Sequence, residues 1–462
     1  MGIGAIATLA VLALGLMFVS RWRNVLFDRM QVKTIDSLAV LPLENLSGKP
    51  EEEYFADGMT EALITELGSV RDLRVISRQS VMQYKGTDKS LPQIASELHV
   101  EALVQGSALR ADDRVRITVQ LVRAVPEEHL WAHSYERSLG DAIGLQAEVA
   151  RDITGHTRVA LAPKVQKQIA RVRPHNLNAY NAYLLAQYFH HRYADKANLG
   201  KANTYYEQAI KLEPDYAAAW SGLASLRLVQ TVYWETLPKE EGSRKTREAA
   251  QRALELDPNL AEAYESLASL KLYYDWDWTG ADTAFQQALT LDPGSAEAMR
   301  GSGWLAATHG RFEEALTLSH RAVELDPLNI RAYLELALHA TYVGRFEEAV
   351  AACNKVLELD PVYPRAHYLL GRVYFAQLHL REGLGEWQRE PDGAFRAQGL
   401  ALAYYALGQE PESDAALSEL ISKFQTEAAF QVAEVYAFRG EAKQAFDWLE
   451  RAYSVHDLIL PK

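Results

Sequence analysis

Cysteine is almost absent from this chain, since Cys353 is the only one among 462 residues. A single cysteine forms neither an internal disulfide nor a multi-cysteine zinc site, so neither can hold the fold together. Positive charge is in the minority, with 48 Lys and Arg against 61 Asp and Glu and a formal net charge of −13. A negatively charged chain gains no counterion release from DNA or RNA, which disfavours nucleic-acid binding. The remaining composition, 48% hydrophobic and 24% charged, is typical of folded protein.

The chain also lacks the short motifs of catalytic and metal sites. It contains no G-x-x-x-x-G-K-[ST] phosphate loop, no H-E-x-x-H helix and no C-x-x-C pair. His190 and His191 are adjacent, and neighbours on a helix point about 100° apart, which makes them poor co-ligands. Asp57 stands where an N-cap would, before a helical pattern at residues 59–70, and ordinary capping explains it better than an anion site. We therefore predict no catalytic, cofactor or metal site and no enzymatic activity.

The one long apolar run lies at the amino terminus, where residues 3–19 carry no charge. Such a run is just long enough to cross a hydrocarbon core of about 30 Å, and Trp22 stands where an interfacial aromatic anchor would. A cleaved signal peptide is the alternative, but its charged amino-terminal region is missing. We predict an uncleaved transmembrane anchor at residues 1–20 and a juxtamembrane linker at 21–35.

The charges near this anchor bear on its orientation. Arg21, Arg23, Arg29 and Lys33 follow the apolar run, and no Lys or Arg precedes it. The positive-inside rule would keep the long carboxyl-terminal part in the cytoplasm, although large domains can translocate despite flanking charge.

Residues 36–162 alternate strand-like and helix-like segments. A buried-strand pattern covers Leu38–Leu43, and strand-like runs at residues 101–111 and 114–124 flank a hairpin connection at Ala111-Asp112-Asp113. An amphipathic helix beginning near residue 141 closes the unit. This pattern predicts a small α+β domain ahead of the rest of the chain.

Several segments of this unit carry a family resemblance. They are AVLPLENLSG at 39–48, EYFADGMTEALITEL at 53–67, LRVISRQS at 73–80 and HLWAHSYERSLGDAIGLQAEVARDI at 129–153. In this order they resemble the TolB-like amino-terminal domain that precedes tetratricopeptide repeats in bacterial proteins, including CadC-like transmembrane regulators and adenylate-cyclase-type relatives. That module is not known as a catalyst. In many relatives it follows one transmembrane helix, with a winged-helix, adenylate cyclase or protein kinase domain on the other side.

From about residue 176 the chain repeats itself. An acidic residue and a proline follow apolar helix ends at Pro214, Pro258, Pro293, Pro327 and Pro361. Their spacings of 44, 35, 34 and 34 residues match the 34-residue period of tetratricopeptide repeats, each a helix–turn–helix unit. Because each unit buries its apolar face only against a neighbour, an array is required. We predict an all-α superhelix of about eight helix pairs over residues 176–457, after a linker at 163–175.

The single cysteine and two tryptophans could serve a functional site, but their positions in the repeats predict packing roles. Cys353 falls where the second helix of a repeat carries a large buried side chain, which predicts a core cysteine. Trp276 and Trp278 fall in the turn between the helices of one repeat, where a packed turn is favoured over a stacking platform.

The first helices of tetratricopeptide repeats line a concave groove. The register places on that wall Glu262, Glu265, Glu297, Arg300, Trp304, Arg331, Leu338, Arg365, Tyr368, Arg372 and Phe375. Arginines interleaved with aromatics can hold an extended peptide, because guanidinium groups bind carboxylates and rings supply apolar anchors. Exposed helix faces also carry charges without any such role. The predicted partner-contacting residues are Arg300, Trp304, Arg331, Arg365, Tyr368 and Arg372.

These observations predict a membrane-anchored, non-enzymatic scaffold or sensor that binds a protein or peptide partner through its groove. No cofactor, nucleic acid or small-molecule substrate is expected. The resemblance implies a single-pass protein of the bacterial inner membrane with its soluble part in the periplasm, against the local arginine count. The alternative is the sensory half of a transmembrane transcription regulator, adenylate cyclase or kinase whose output domain lies upstream of Met1.

Overall fold

The computed structural model describes residues 34–157 and 176–455, except 71–72, 112–113, 139, 141, 193–194, 233, 235 and 425–426. An α/β domain precedes an array of paired helices. Within these ranges no helix combines the length and the apolar character needed to cross a bilayer. The predicted membrane span at residues 3–19 lies outside the described residues.

A mixed six-stranded sheet forms the centre of the α/β domain. Its strands are β1 (Ser37–Val40), β2 (Glu44–Asn45), β3 (Arg74–Val75), β4 (Ala102–Ala111), β5 (Arg114–Arg123) and β6 (Glu128–Ser138). β1 pairs in parallel with β3 and β4, β2 pairs with β4, and β4, β5 and β6 form an antiparallel meander. Ala111 lies opposite Arg114, which confirms the predicted hairpin.

Helices cover both faces of this sheet around β1. They are α1 (Glu53–Gly68), α2 (Arg78–Val81), α3 (Leu91–Leu98) and α4 (Ala142–Thr157). Because side chains alternate along a strand, Leu38 and Val40 join one core with α1 and α4. Ala39 and Leu41 join a second core with α3 on the opposite face.

The first helix begins earlier than the sequence pattern indicated. It starts at Glu53, and Asp57 lies inside it as a buried residue. The Asp57 carboxylate pairs with Lys85 and, at 3.0 Å, with Arg192. The prediction that Asp57 is an N-cap is therefore wrong. The two cations come from distant segments of the chain, so no local pattern signals this role.

Eight helix pairs follow within the described residues, and each pair is a helix–turn–helix unit. The pairs are α5 (Leu177–His190) with α6 (Lys196–Leu212), α7 (Ala217–Val232) with α8 (Lys239–Leu256), α9 (Ala261–Leu270) with α10 (Trp278–Leu291), α11 (Ala296–Thr308) with α12 (Phe312–Leu325), α13 (Ile330–Tyr342) with α14 (Phe346–Leu359), α15 (Ala366–Ala376) with α16 (Leu380–Arg389), α17 (Gly393–Ala406) with α18 (Glu410–Phe424), and α19 (Ala429–Phe438) with α20 (Ala442–Ser454). The prolines that define the period lie in the turns between pairs. The predicted tetratricopeptide architecture is confirmed for these helices.

The turn within a pair needs a residue in the left-handed backbone region. Gly310, Gly344, Gly408 and Gly440 supply it with φ between +72° and +77°, at little steric cost. In the sixth pair Leu378 takes this position with φ +63°, and its side chain is 81% exposed. A leucine held there is strained, because its Cβ crowds the backbone.

The sixth pair, α15 and α16, packs by different means from its neighbours. Trp387 is fully buried between Gly371 and Gly399, where any added Cβ would lie about 2.3 Å from the indole. Glu390, which replaces the small residue expected by the repeat pattern, is buried and accepts hydrogen bonds from three backbone amides. Two of these amides, of Arg365 and Tyr368, belong to the start of α15, so Glu390 caps that helix.

The α/β domain and the first repeat share one apolar core. Phe55 and Met59 of α1 belong to the same buried cluster as Tyr180 and Leu184 of α5. A Cβ on Gly58 would lie 2.6 Å from Leu184, so glycine is required for this close approach. The domain is thus packed onto the array and not merely tethered to it.

The curvature of the array brings its last helix close to the third pair. The Trp276 ring, in the turn before α10, lies 5.1 Å from the Tyr453 ring of α20. Trp276 takes the left-handed conformation and ends a short π-helical turn, Lys271–Asp275. This aromatic contact links two units that are five repeats apart.

Candidate partner-binding groove

The first helix of each pair lines the inner side of the array. Neighbouring repeats touch across the turn that connects them and also through their first helices, as α9 touches α11 and α17 touches α19. The predicted groove residues lie on these helices or at their starts. The groove divides into an amino-terminal half beside the α/β domain and a carboxyl-terminal half along α13, α15, α17 and α19.

Side chains of the α/β domain already occupy part of the amino-terminal half. Glu61 of α1 forms an ion pair with Arg78 at 2.9 Å and lies 2.9 Å from Nε2 of His191, at the end of α5. Burial opposes ionisation of Glu61, but these neighbours outweigh it and lower its pKa to about 2. The groove wall of the first repeat is therefore engaged by the chain itself.

Two of the predicted wall residues are carboxylates on α9, and the nearer of them, Glu262, lies within reach of the charge of Glu61. Glu262 accepts a hydrogen bond from Ser221 at 3.1 Å, and Glu265 accepts one from Ser295 at 2.6 Å. Desolvation by the surrounding protein raises the pKa of Glu262 to about 7 and that of Glu265 to about 8, and nearby carboxylates add to both shifts. Since Glu262 keeps an exposed surface, water weakens the shift at that carboxylate.

Arg300 holds two repeats together from inside the wall. Its side chain is only 4% exposed, and its Nε donates to Glu335 of the next first helix at 2.9 Å, while Nη2 donates to the other carboxylate oxygen. The indole of Trp304 also hydrogen-bonds to Glu335, and its ring lies 5.4 Å from that of His339. Arg331 lies close enough to Glu335 to help lower its pKa. These three predicted groove residues thus meet around one buried carboxylate.

The carboxyl-terminal half contains a cavity of about 200 Å³. Its lining is mostly apolar and comes from five helices: Leu338, Thr341 and Tyr342 of α13, Leu369, Arg372, Phe375 and Ala376 of α15, Trp387 of α16, Leu402 of α17, and Glu434 and Phe438 of α19. The Phe375 ring lies 5.4 Å from both Trp387 and Phe438, which gives the cavity an aromatic wall.

One ion pair is the polar feature of this cavity. Arg372 lies 3.3 Å from Glu434, and its Nη1 donates to the Tyr368 hydroxyl at 3.1 Å. Gln398 donates to the second oxygen of Glu434 at 2.5 Å. Arg372 keeps 35% of its side-chain surface exposed, so it remains accessible from the cavity.

The structure brings together some predicted contact residues and separates others. Arg372, Leu338 and Phe375 line the cavity, and Tyr368 is buried behind Arg372 with its pKa raised by burial to about 12. Arg365 lies elsewhere, just before α15, with its guanidinium 4.7 Å from the Phe395 ring.

Sequence reasoning did not find Tyr342, Glu434 and Phe438, which complete the cavity. The last helix pairs follow the repeat pattern weakly, so Glu434 and Phe438 could not be read in register. Tyr342 lies in a regular repeat, but the register did not assign that position to the groove. An aromatic residue at the end of a first helix, as at Tyr342 and Phe438, is the signal that could have found two of them.

The residues considered for chemistry have packing roles. Cys353 is fully buried, as predicted, and burial raises its pKa to about 12. His190 is buried against the Tyr206 hydroxyl at 3.3 Å, and desolvation lowers its pKa to about 3. Among the residues that the structure describes, no three His, Cys, Asp or Glu side chains are grouped to hold a metal ion.

Comparison with known families identifies the repeats. The tetratricopeptide repeat family matches residues 272–330, and a second TPR repeat description matches residues 342–377. The helical array is thus a tetratricopeptide-repeat array. Neither match reaches residues 36–162, so the TolB-like resemblance of that unit stays a prediction.

A protein of Rhizobium meliloti (strain 1021), provisionally named adenylate cyclase 3, is 33% identical to this chain over 202 residues. The aligned part covers 44% of this chain and 34% of that protein. The chain therefore spans about a third of the length of this relative.

Solved tetratricopeptide proteins resemble the array at low identity. PilF of Pseudomonas aeruginosa is 16% identical with a TM-score of 0.36, covering 46% of this chain and 96% of that one. PilW, described as a type IV pilus biogenesis factor, is 20% identical with a TM-score of 0.39, covering 46% and 98%. A repeat protein of Parabacteroides merdae is 14% identical with a TM-score of 0.40, covering 58% and 99%.

Proposed function

We propose that this chain is a non-enzymatic interaction scaffold whose partner-binding site is the carboxyl-terminal half of the groove. The cavity beside Arg372 carries this proposal, because it combines an aromatic wall with one accessible ion pair on first helices. Such a site suits a large apolar side chain of a polypeptide, with Arg372 and Glu434 available to its backbone or polar groups. The amino-terminal half is a poorer site, since α1 and the Arg300–Glu335 pair occupy it.

The strained turn beside the cavity adds support. Leu378 follows Phe375 and Ala376 by two or three residues and is 81% exposed. A glycine at position 378 would relieve the backbone strain. The exposed Leu378 side chain gains no stabilisation from burial in the described structure. Strained residues that persist often belong to binding surfaces. Leu378 therefore extends the apolar surface of the cavity rim in this proposal.

A peptide library displayed on phage and selected against the full-length protein tests this site. Ala376 lines the cavity and is exposed, so Ala376→Trp should fill the cavity with little effect on the fold. The matched control is Ala351→Trp, on an exposed position of the second helix α14. We expect selected peptides to share a large apolar residue and to bind Ala376→Trp about tenfold or more weakly. Equal affinity for wild type and Ala376→Trp would remove the cavity as the site.

We also propose that residues 3–19 anchor the chain in a bacterial inner membrane, with the part after Arg23 in the periplasm. The uncharged run and the interfacial Trp22 support an anchor, and the TolB-like resemblance supports the orientation. The arginines after the run weigh against that orientation.

The relative in Rhizobium meliloti favours a second candidate function. Because this chain matches about a third of a protein named as an adenylate cyclase, it could serve as the sensory part of such an enzyme. Reading the coding DNA upstream of Met1 in frame separates the two candidates. A cyclase, winged-helix or kinase domain there supports the sensory role, and an immediate stop codon supports the scaffold.

A further inference from the structure

The α/β domain contacts the array at the first repeat, at the turn between α10 and α11, where Gly68 of α1 lies against Gly294, and at the turn between α12 and α13. At the first repeat the contact is apolar and continuous with the domain core, through Phe55, Met59, Tyr180 and Leu184. The turn between α12 and α13 lies nearly 250 residues after the α2 segment that it contacts, and there hydrogen bonds combine with the packing of Leu328 against the core that contains α3. Apolar contacts resist separation, whereas water can replace hydrogen bonds, so the smaller apolar contact at this turn separates more easily than the extended one at the first repeat.

The polar contact is centred on Ser80 of α2. Its hydroxyl is fully buried, donates to the Asp326 carboxylate at 2.5 Å and accepts from the Leu328 amide at 2.9 Å. The Ser77 amide donates to the carbonyl oxygen of Leu325 at 2.9 Å, and Arg74 donates to the carbonyl oxygen of Glu324 at 2.8 Å. Below, the clasp means Ser77 and Ser80 together with the turn Leu325–Leu328.

The turn in the clasp differs from three equivalent turns of the array. After α8, α10 and α14, the aspartate closes its own turn by accepting the amide of the second residue after it. These bonds join Asp257 to Asn259 at 3.0 Å, Asp292 to Gly294 at 2.9 Å and Asp360 to Val362 at 3.1 Å. In the clasp, the Ser80 hydroxyl stands between the aspartate and that amide and bonds to both.

This insertion means that the turn has two satisfied arrangements. With Ser80 present, Asp326 and Leu328 bond to its hydroxyl. With Ser80 withdrawn, Asp326 can accept the Leu328 amide directly, as its three counterparts do. Asp326 and the Leu328 amide are therefore satisfied in either state, whereas the Ser77 amide and the Leu325 carbonyl exchange each other for water on release.

The neighbouring side chains show what the clasp covers. Leu328 packs against the core that contains α3, whereas Val362, one repeat later, is 74% exposed. The clasp and the apolar contact at α5 bracket the second and third repeats. The carboxylates of Glu262 and Glu265 lie on the groove wall between these two attachments.

We propose that the clasp is a releasable closure of the groove, in which the α/β domain stays fixed on the first repeat and detaches from the turn between α12 and α13. Release lets the first four repeats change curvature and widens the groove at the wall that carries Glu262 and Glu265. The switching element is the turn at Asp326, which exchanges the Ser80 hydroxyl for its own amide.

Hydrogen exchange of the full-length wild-type protein tests this without any substitution. The Ser77 amide bonds across the clasp, and the Val119 amide lies in the centre of the β4–β5 pairing. We expect Ser77 to exchange through a partial opening, at a rate at least tenfold above that of Val119. Leu328 should stay protected relative to Ser77, because its amide is bonded in both states. If Ser77 exchanges as slowly as Val119, the clasp does not open and the proposal fails.

A substitution separates the hydroxyl from the rest of the interface. Ser80→Ala should raise Ser77 exchange about tenfold and leave Leu328 exchange unchanged, because the turn closes on itself. Ser134→Ala is the control, since Ser134 is exposed on β6 and bonds only within the sheet to Thr118. Unchanged Ser77 exchange in Ser80→Ala, or loss of protection at both Ser77 and Leu328, would overturn the two-state turn.

A distance measurement reports the movement itself. Asp88 and Val362 are exposed on the two sides of the clasp, and Cys353 is buried with a raised pKa, so spin labels at Asp88→Cys and Val362→Cys report one pair. We expect Ser80→Ala to add a second, longer distance to the wild-type distribution. A single unchanged distance in both proteins would show that the domain does not move.

Discussion

Replacing Arg300 by methionine removes the positive member of a buried ion pair that joins the fourth and fifth repeats. Arg300 and Glu335 are 4% and 8% exposed, and the guanidinium contacts both carboxylate oxygens. After the substitution Glu335 remains buried and loses its nearest cation. Breaking one side of such a pair typically costs about 3–5 kcal/mol of unfolding free energy.

A double substitution distinguishes the lost interaction from lost packing. Arg300→Met combined with Glu335→Leu removes both charges and keeps apolar volume, so most of the stability should return, to within about 1 kcal/mol of wild type. The control Arg381→Met changes an exposed arginine of α16 and should shift stability by no more than about 0.5 kcal/mol. Denaturant unfolding followed by circular dichroism gives the midpoints.

The pH dependence supplies an independent check. Burial by itself would raise the pKa of Glu335, but the charge and hydrogen bonds of Arg300 outweigh it and lower the pKa. In wild type this stabilisation is therefore present above the ordinary glutamate pKa and is lost as pH falls. In Arg300→Met burial raises the Glu335 pKa, so the destabilisation grows as pH rises above the ordinary glutamate value.

The stability difference between wild type and Arg300→Met should accordingly be largest at pH 7 and shrink towards pH 4. A difference that stays constant over this range, or one below about 1 kcal/mol at pH 7, would refute the role of a buried charge pair.

Two further outcomes are expected. Glu390→Ala leaves three backbone amides, of which that of Tyr368 is buried, without their acceptor and should lower the unfolding free energy by about 2–3 kcal/mol. Glu390→Gln keeps an acceptor and should lose less. Equal losses of the two variants in denaturant titrations would contradict the capping role. An alkaline phosphatase reporter fused after Lys462 should be active in bacteria, because the proposed topology puts it in the periplasm. Activity of a cytoplasm-dependent reporter at the same site would reverse the orientation.

Local periodicity was sufficient to predict the architecture of the array. Pro293, Pro327 and Pro361 recur at 34 residues, and each marks a turn that the structure places between helix pairs. The pattern works because every repeat solves the same packing problem with residues close in sequence. The β4–β5 hairpin was predictable for the same reason, since its partners are adjacent in the chain.

Contacts between distant segments could not be predicted in this way. The sequence around Asp57 predicts an N-cap, because its two partners, Lys85 and Arg192, lie far from it along the chain. Glu390 reads as a defect in the repeat pattern, although it caps α15. Register assigned Arg372 to the groove, where it lines the cavity, but it could not show that Arg300, on an equivalent face, is buried against Glu335.

The clasp also has a consequence for the order in which the protein is built. A ribosome completes Ser80 long before Asp326, which lies 246 residues later. At roughly 5–20 residues per second, this gap corresponds to about 12–50 s of synthesis. During that interval the α/β domain can pack on the first repeat while α2 still lacks its partner turn. Most contacts of a solenoid form between neighbours as they emerge, but this one is withheld until the fourth repeat has been made, so the groove closes only after synthesis has passed Leu328.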